Sequence, residues 1–168
     1  AIEKDVKIAK VYQELNPNDE VIVGDAHQYL LDNHSDFDFI WSSPPCQSHS
    51  KMMKATRHRL NKYPDMSLYQ EIIFLQNFFK GKWIVENVKP YYEPFVKPTA
   101  KLGRNVFWAN FEIPETEIKD GLTHNERGSS EKGYFDLREY KMKHRKDQII
   151  RNCVDPNVGQ YVLGCAVS

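Results

Sequence analysis

Short apolar runs alternate with segments of helical periodicity through the first half of the chain. Apolar residues recur at helical spacing over Val6–Leu15 and again over residues 68–79. Three short apolar runs, at residues 21–23, 37–41 and 83–85, have the length and composition of buried strands. This alternation predicts an α/β fold, with a mostly parallel sheet that carries helices on both faces.

Residues that start or stop helices mark the boundaries of several elements. Ser67 is placed to cap the helix over residues 68–79, and Gly81 is placed to end it. Asp155, followed by Pro156, is placed to begin a last helix. The pattern also predicts a short helix at residues 28–33, a strand at 105–108, and loops at 48–66 and 114–135.

Three chemically reactive side chains follow the predicted strands. Asp25, Cys46 and Glu86 each come at the carboxyl end of a strand, which is where parallel sheets bind their ligands. Pro44 and Pro45 restrain the backbone before Cys46, so that the thiol has few directions in which to point. A thiol and an acid at the ends of two strands predict covalent catalysis with proton delivery.

The length and charge of the chain limit the partners that it can have. At 168 residues the chain has the length of a single domain. Lys and Arg together number 23, as do Asp and Glu, so the net charge does not indicate a polyanionic partner. The basic residues nevertheless gather in two blocks, at residues 51–62 and 138–151, and each block can bind phosphates locally.

The cysteines and histidines argue against disulfide bonds and metal sites. The three cysteines are odd in number and none lies in a CxxC pair, which favours a reducing cytoplasm over a disulfide framework. The six histidines show no metal-binding spacing, so no metal site is expected. No apolar run approaches the roughly 18 residues of a membrane span, so no membrane partner is expected either.

Six short motifs follow one another in order along most of the chain. They are Ala1-Ile2-Glu3-Lys4-Asp5, Gly24-Asp25-Ala26, Pro44-Pro45-Cys46-Gln47-Ser48, Glu86-Asn87-Val88, Leu102-Gly103-Arg104-Asn105-Val106-Phe107-Trp108 and Arg151-Asn152-Cys153-Val154. This series resembles the DNA cytosine-5 methyltransferases, and within them a compact, phage-type branch associated with restriction-modification. The resemblance implies a Rossmann-like, S-adenosylmethionine-dependent methyltransferase fold.

The resemblance implies a reaction and a role for each catalytic residue. The Cys46 thiolate would add to carbon 6 of a cytosine flipped out of DNA, and carbon 5 would then take the methyl group. Glu86 would give a proton to N3 of the base, and Arg104 would contact the base oxygen or a neighbouring phosphate. This chemistry leads us to expect a lowered pKa for Cys46 and a raised pKa for Glu86.

The resemblance also implies residues that bind the methyl donor and the nucleic acid. The predicted donor-binding residues are Glu3, Asp25, Ala26, Pro45, Asn152 and Val154. The predicted nucleic-acid-binding residues are Gln47, Ser48, Lys51, Lys54, Arg57 and Arg59. His49 is near Cys46 and could tune it, but the favoured expectation is a loop histidine that contacts a phosphate or nothing.

The chain departs from the family pattern in two places. The glycine-rich donor motif that opens the family is absent, because Ala1 already falls in the second motif. Residues 1–168 are therefore interpreted as one catalytic domain, N-terminally incomplete and without its first strand. Residues 109–150 are too few for a sizeable target-recognition domain, so sequence recognition is expected either to be short and relaxed or to come from a partner chain.

Three alternatives remain open at this stage. The same reaction on RNA is the first, because a tRNA-type branch carries the same Pro-Pro-Cys and Glu-Asn-Val motifs. An amino methyltransferase is the second, since Ser43-Pro44-Pro45 resembles part of its tetrad, although Cys46 replaces the aromatic residue. The third is an inactive fragment that binds nucleic acid or a partner chain. The enzyme is expected in the cytoplasm of a bacterial or phage-infected cell.

Overall fold

The computed structural model describes residues 1–51, 53, 63–118, 135–141 and 146–168. Its elements in chain order are β1 (Ile2–Glu3), α1 (Val6–Leu15), β2 (Ile22–Val23), α2 (Ala26–Asn33), β3 (Phe39–Ser42), α3 (Ser67–Phe78), β4 (Lys82–Val88), β5 (Ala100–Leu102), β6 (Asn105–Ala109), α4 (Lys146–Asn152) and α5 (Pro156–Val167). A 3-10 turn at His34–Asp36 follows α2.

The chain divides into two compact units. The first comprises the described residues of Ala1–His34 and Gly121–Cys153, and the second those of Ser35–Asp120 and Val154–Ser168. The first unit therefore contains β1, β2, α1, α2 and α4, while the second contains the other strands with α3 and α5.

Aspartate side chains begin three of the helices. The Asp5 carboxylate accepts hydrogen bonds from the backbone N–H of Lys7 and Ile8 at the start of α1. Asp25 does the same at the start of α2, and Asp155 at the start of α5, where Pro156 takes the first helical position as expected. Each cap satisfies backbone donors that have no partner inside the helix.

The predicted cap of α3 is wrong. Ser67 lies inside the helix, and the capping position belongs to Met66, whose side chain makes no capping bond. The Asp65 carboxylate instead accepts a hydrogen bond from the Ser67 backbone N–H at 3.0 Å. An acidic side chain two residues earlier thus supplies the acceptor that Ser67 was expected to provide.

The first unit is built on a two-stranded parallel sheet. Ile2 pairs with Ile22 and Glu3 with Val23, so the carboxyl ends of β1 and β2 lie at the same edge. Val11 of α1 packs with Leu137 and Ile150 in a small buried cluster. The predicted helix over Val6–Leu15 is therefore confirmed, and its apolar face covers this cluster.

The second unit is built on a mixed sheet with strand order β3-β4-β6-β5. β3 and β4 run parallel, whereas β6 runs antiparallel to both β4 and β5. The prediction of a mostly parallel sheet is thus met by β1 with β2 and by β3 with β4, and not by β5 and β6. A two-residue hairpin turn joins β5 to β6, and antiparallel neighbours need no helical crossover.

The core of the second unit lies between the mixed sheet and α5. Ile84, Phe107 and Val162 are fully buried in its cluster. β4 is buried at every position from Trp83 to Asn87, which is typical of a central strand covered on both faces. No helix among the described residues is long and apolar enough to span a membrane.

Gly81, predicted to end α3, lies where the chain passes close to another strand. A β-carbon at Gly81 would lie well inside van der Waals distance of the Asp38 carbonyl oxygen and the Phe79 ring. The same carbonyl accepts the Lys82 backbone N–H at 3.1 Å, which draws the two segments together at the start of β4. Only glycine fits here without a backbone shift.

We predict that Gly81→Ala lowers the free energy of unfolding by about 1–3 kcal/mol, because the added methyl group overpacks against backbone. Urea denaturation measures this change. The matched control is Gly159→Ala in α5, where a β-carbon meets no atom within 4 Å. That variant should gain up to about 1 kcal/mol from helix propensity, and equal losses in both variants would contradict the prediction.

Candidate active site

The turn that carries Cys46 is fixed by backbone hydrogen bonds and by a buried amide. The Cys46 carbonyl oxygen accepts the backbone N–H groups of His49 and Ser50, each at 3.1 Å. Asn87 on β4 donates its side-chain N–H to the Pro44 carbonyl oxygen at 3.0 Å, and Asn87 is 1% exposed. Cys46 itself is half-buried. The backbone hydrogen bonds after Cys46 and the Asn87 bond before it together hold the turn in place.

Glu86 is a buried acid within the central strand. Its side chain is 5% exposed, and β4 extends past it to Val88, so the predicted strand end at residue 85 is too early. Asn105 donates its side-chain N–H to the Glu86 carboxyl oxygen, and the Ser43 hydroxyl also lowers the pKa of this carboxyl. Burial raises the pKa of Glu86 against the opposing effect of these two partners and of Arg104, as expected from the chemistry.

The pKa of Cys46 is shifted in the opposite direction to the one expected. Its pKa is raised above the ordinary value for a thiol, first by burial and then by the negative charge of Glu86. The positive charge of Arg104 lowers the pKa of Cys46 without overcoming these two effects. The expected lowering is therefore wrong for the protein alone, because one half-buried guanidinium does not outweigh burial and a neighbouring carboxylate.

The structure brings the three predicted catalytic residues together. Arg104 lies in the hairpin turn between β5 and β6, where Gly103 has a left-handed φ of 56° that favours glycine. Its charge acts on both Cys46 and Glu86, and the charge of Glu86 acts on Cys46. A nucleophile, an acid with a raised pKa and a cation thus share one edge of the mixed sheet, as covalent catalysis with proton delivery requires.

His49 is not the loop histidine expected from the sequence. It is 1% exposed, and its Nδ1 lies 2.6 Å from the Tyr92 hydroxyl oxygen, which in turn accepts the Tyr69 hydroxyl at 3.1 Å. Burial lowers its pKa, with the negative charge of Asp65 opposing. A buried, neutral imidazole cannot serve as a phosphate contact, so His49 instead joins the Cys46 turn to α3 and the segment after β4.

The predicted nucleic-acid-binding residues are described in part. Gln47 and Lys51 are exposed beside the Cys46 turn. The Ser48 hydroxyl accepts the Asp65 backbone N–H at 3.0 Å, so it helps to hold the segment before α3. The remaining residues of this prediction, Lys54, Arg57 and Arg59, lie outside the described residues.

Three of the predicted donor-binding residues lie in the first unit, at the shared edge of β1 and β2. Glu3 ends β1, and its Oε1 accepts the Asp5 backbone N–H at 2.7 Å. Asp25 follows β2, caps α2 just before Ala26 and pairs with Lys4 at 3.1 Å. Its pKa is lowered by the backbone N–H of Gln28 and then by Lys4, so it is a carboxylate at neutral pH.

This pair of carboxylates fits the donor that the sequence implies. Each oxygen has more than one lone pair, so the bonds described above leave acceptors for the hydroxyl and amine groups of a nucleoside. The other predicted donor-binding residues are separate from them. Asn152 ends α4 in the first unit and is exposed, while Pro45 and Val154 belong to the second unit.

Sequence reasoning missed three polar residues that hold the catalytic groups, namely Ser43, Asn87 and Asn105. Asn87 and Asn105 were within recognised motifs but had no role assigned. The pairing register of β4 with β6 is what identifies Asn105 as a partner of Glu86. Glu86 pairs with Phe107, so Asn105 is its diagonal neighbour on the same face of the sheet.

Comparison with known proteins agrees with this geometry. The family model for C-5 cytosine-specific DNA methylases matches residues 1–100 of the chain. No curated protein and no solved structure gave a significant match. The matched range includes Cys46 and Glu86, while Arg104 lies just beyond it. Among the described residues, no group of three acidic, histidine or cysteine side chains is arranged to hold a metal ion.

We predict that Glu86 makes the stability of the protein fall as the pH rises. Its pKa is raised in the folded state, so its contribution is fully present below the ordinary glutamate pKa and is lost as the pH rises through the raised value. Each unit of difference is worth about 1.4 kcal/mol. Urea denaturation between about pH 4 and pH 8 measures this loss.

Glu86→Gln keeps the acceptor for Asn105 and removes the titration, so the loss should disappear in this variant. Glu93→Gln, at an exposed position, is the matched control and should keep the wild-type pH dependence. A pH dependence that is unchanged in Glu86→Gln would contradict a raised pKa at this site.

Proposed function

The chain belongs to the C-5 cytosine-specific DNA methylase family, and on that premise we propose that it methylates carbon 5 of cytosine in DNA through a covalent Cys46 adduct. The methyl donor in this proposal is S-adenosylmethionine, as the family resemblance implies. One observation supports the proposal most directly: Cys46, Glu86 and Arg104 act on one another electrostatically at one sheet edge. The chemistry of the reaction assigns each of them a step.

Cys46 forms the first bond. Its thiolate adds to carbon 6 of the cytosine, which forms a carbon–sulfur bond and shifts the double-bond electrons toward N3. The turn at Pro44 and Pro45 orients the sulfur, and the Asn87 side chain keeps that turn against β4. Because the pKa of Cys46 is raised in the protein alone, the thiol must first release its proton to solvent, and the thiolate then attacks.

Glu86 supplies the proton that this addition requires. Its raised pKa favours the protonated form, and transfer of the proton to N3 neutralises the electrons that arrive there. Only the ionised form of Glu86 raises the pKa of Cys46 by its charge. When Glu86 is protonated, burial is therefore the effect that opposes formation of the Cys46 thiolate.

Arg104 stabilises negative charge beside both groups. Its guanidinium favours the thiolate before attack and the carboxylate after proton transfer. When carbon 5 has been methylated, its proton leaves to a base, the carbon–sulfur bond breaks and the Cys46 thiolate is restored. Glu86 then recovers its proton from N3, so that the cycle is balanced.

Residues at the shared edge of β1 and β2 would bind the donor in this proposal. S-adenosylmethionine supplies an electrophilic methyl group when it is bound. The Glu3 carboxylate would accept hydrogen bonds from the hydroxyl groups of its ribose, and the Asp25 carboxylate would accept one from the amine of its adenine. The family resemblance implies Ala26, Pro45, Asn152 and Val154 as further donor-binding residues.

DNA is the proposed partner because the reaction needs a cytosine that can leave the stack. The target base is flipped into the site, which makes both faces of carbons 5 and 6 accessible. Gln47 and Lys51, exposed beside the Cys46 turn, contact the nucleic acid, and a partner chain supplies sequence recognition. The proposed location is the cytoplasm.

We predict that the full-length protein forms a stable covalent complex with DNA that contains 5-fluorocytosine, in the presence of the methyl donor. Fluorine at carbon 5 cannot leave as the proton does, so the adduct to Cys46 persists after methylation. Denaturing gel electrophoresis detects the complex by its reduced mobility. Cys46→Ala should abolish it, and Cys165→Ala, which changes a helix residue of α5, should retain it.

Other outcomes of this experiment would favour one of the alternative functions. An adduct on RNA and none on DNA would move the same chemistry to RNA. Methylation without an adduct on either nucleic acid would overturn the role of Cys46. Absence of both activities would support a fragment that only binds nucleic acid or a partner chain.

We also predict that Lys51→Ala makes the binding of duplex DNA less dependent on salt. Each phosphate neutralised by a protein cation contributes about 0.9 to the slope of log affinity against log salt concentration, so the slope should decrease by roughly that amount. Fluorescence anisotropy over a salt series measures it. Lys10→Ala, at an exposed position on α1 paired with Glu14, is the control. Equal slopes for Lys51→Ala and the wild type would remove Lys51 from the interface.

A further inference from the structure

The hydroxyl of Ser43 is held between an indole and the catalytic acid. The Trp41 side-chain N–H donates to the Ser43 hydroxyl oxygen at 3.0 Å. Ser42 pairs with Val85 across the parallel strands β3 and β4, so Ser43 follows beside Glu86, and its hydroxyl lowers the pKa of that carboxyl. Ser43 itself is exposed, whereas Glu86 is 5% exposed. The hydroxyl therefore reaches the acid from the open side of the site, where the base must enter.

The indole limits the direction of the Ser43 hydroxyl hydrogen. An indole N–H can only donate a hydrogen bond, so it occupies a lone pair of the Ser43 oxygen. The hydroxyl hydrogen then points away from Trp41 and is free to reach the Glu86 carboxyl. An ionised carboxyl has no hydrogen of its own, so Ser43 can bond it only as a donor.

Asn105 is a second donor to the same carboxyl. Its side-chain N–H bonds Oε1 of Glu86 from the diagonal position on β6. A protonated carboxyl has one O–H group, and neither Ser43 nor Asn105 accepts that hydrogen in this arrangement. The proton of the acid therefore remains available to a ligand instead of being held by the protein.

We propose that Ser43 is a positioning residue for Glu86: its hydroxyl, directed by Trp41, donates to the carboxyl and, with Asn105, leaves the proton of the acid directed at the bound base. The consequence for the reaction rests on the proposed function, since the acceptor of that proton is N3 of cytosine. The arrangement of the Trp41, Ser43 and Asn105 side chains around Glu86 does not depend on the proposed function.

The two donors also set how readily the acid gives up its proton. Hydrogen bonds donated to a carboxylate favour its charged form, so Ser43 and Asn105 oppose the effect of burial on the pKa of Glu86. Arg104 acts in the same direction, and Cys46 is the other titratable group whose charge interacts with Glu86. Without Ser43 the acid holds its proton more tightly and donates it less readily.

The neighbouring serine offers a matched control. Ser42 ends β3 and donates its hydroxyl to Glu71, a buried residue of α3, instead of to Glu86. Two adjacent serines of the same sequence thus bond two different acids. A substitution at Ser42 removes the same atom as one at Ser43 and leaves the partners of Glu86 in place.

The test is a direct titration of Glu86 by carbon-13 NMR of the glutamate carboxyl groups in the full-length protein, with Glu86→Gln to assign the signal. Ser43→Ala should move the titration midpoint to higher pH, and Ser43→Thr, which keeps the hydroxyl, should restore it. Trp41→Phe should move the midpoint in the same direction, because the hydroxyl is then free to turn away. Ser42→Ala should leave it unchanged.

The sign of the shift decides the proposal. A midpoint that falls in Ser43→Ala would mean that Ser43 accepts the proton of the acid, and an unchanged midpoint would mean that it does not act on Glu86. Either result overturns the proposal. Ser43→Ala should also lower kcat by roughly tenfold, the rate equivalent of one net hydrogen bond, with KM nearly unchanged.

The titration uses no nucleic acid and no methyl donor, so it separates this inference from the proposed function. A shift in the expected direction together with no DNA or RNA adduct would support the role of Ser43 and overturn the proposed reaction. An adduct together with a Glu86 midpoint unchanged in Ser43→Ala would do the reverse.

Discussion

Burial of the Glu86 carboxyl is the constraint on which the rest of the site depends. A carboxylate on a fully covered central strand is costly, so the group is stable there as a neutral acid with donors around it. The polar residues nearby follow from this requirement. Asn105 and Ser43 supply donors, and Arg104 supplies the charge that balances a transient carboxylate. After burial, the charge of the same carboxyl is the next effect that raises the pKa of Cys46, so the acid and the nucleophile are electrostatically coupled.

The mixed topology of the sheet builds this unit. Parallel pairing of β3 with β4 brings the Cys46 turn and Glu86 to the same edge, because parallel strands end on the same side. Antiparallel pairing of β6 with β4 then brings the start of β6, with Asn105, back to that edge. The hairpin turn before β6 places Arg104 there as well. A purely parallel arrangement would need a crossover connection of a dozen or more residues to reach the same place.

Much of this arrangement can be predicted from the sequence, because local signals carry it. Periodicity locates α1 and α3, Asp155 with Pro156 locates α5, and the residues that follow the strands identify the catalytic groups. What the sequence does not reveal depends on contacts between distant residues. His49 is buried because Tyr92 and Tyr69 come to it from positions 43 and 20 residues further along the chain. β5 was missed because three residues carry no periodicity, and the raised pKa of Cys46 depends on burial that no motif encodes.

The raised pKa of Cys46 has a consequence for how long the protein keeps its reactivity. Peroxides and disulfides react with the thiolate form of a cysteine far faster than with the thiol. A nucleophile that stays protonated until the base arrives is therefore protected from oxidation while the protein waits for its substrate. The burial that disfavours the thiolate in the empty site thus also limits the oxidation of Cys46.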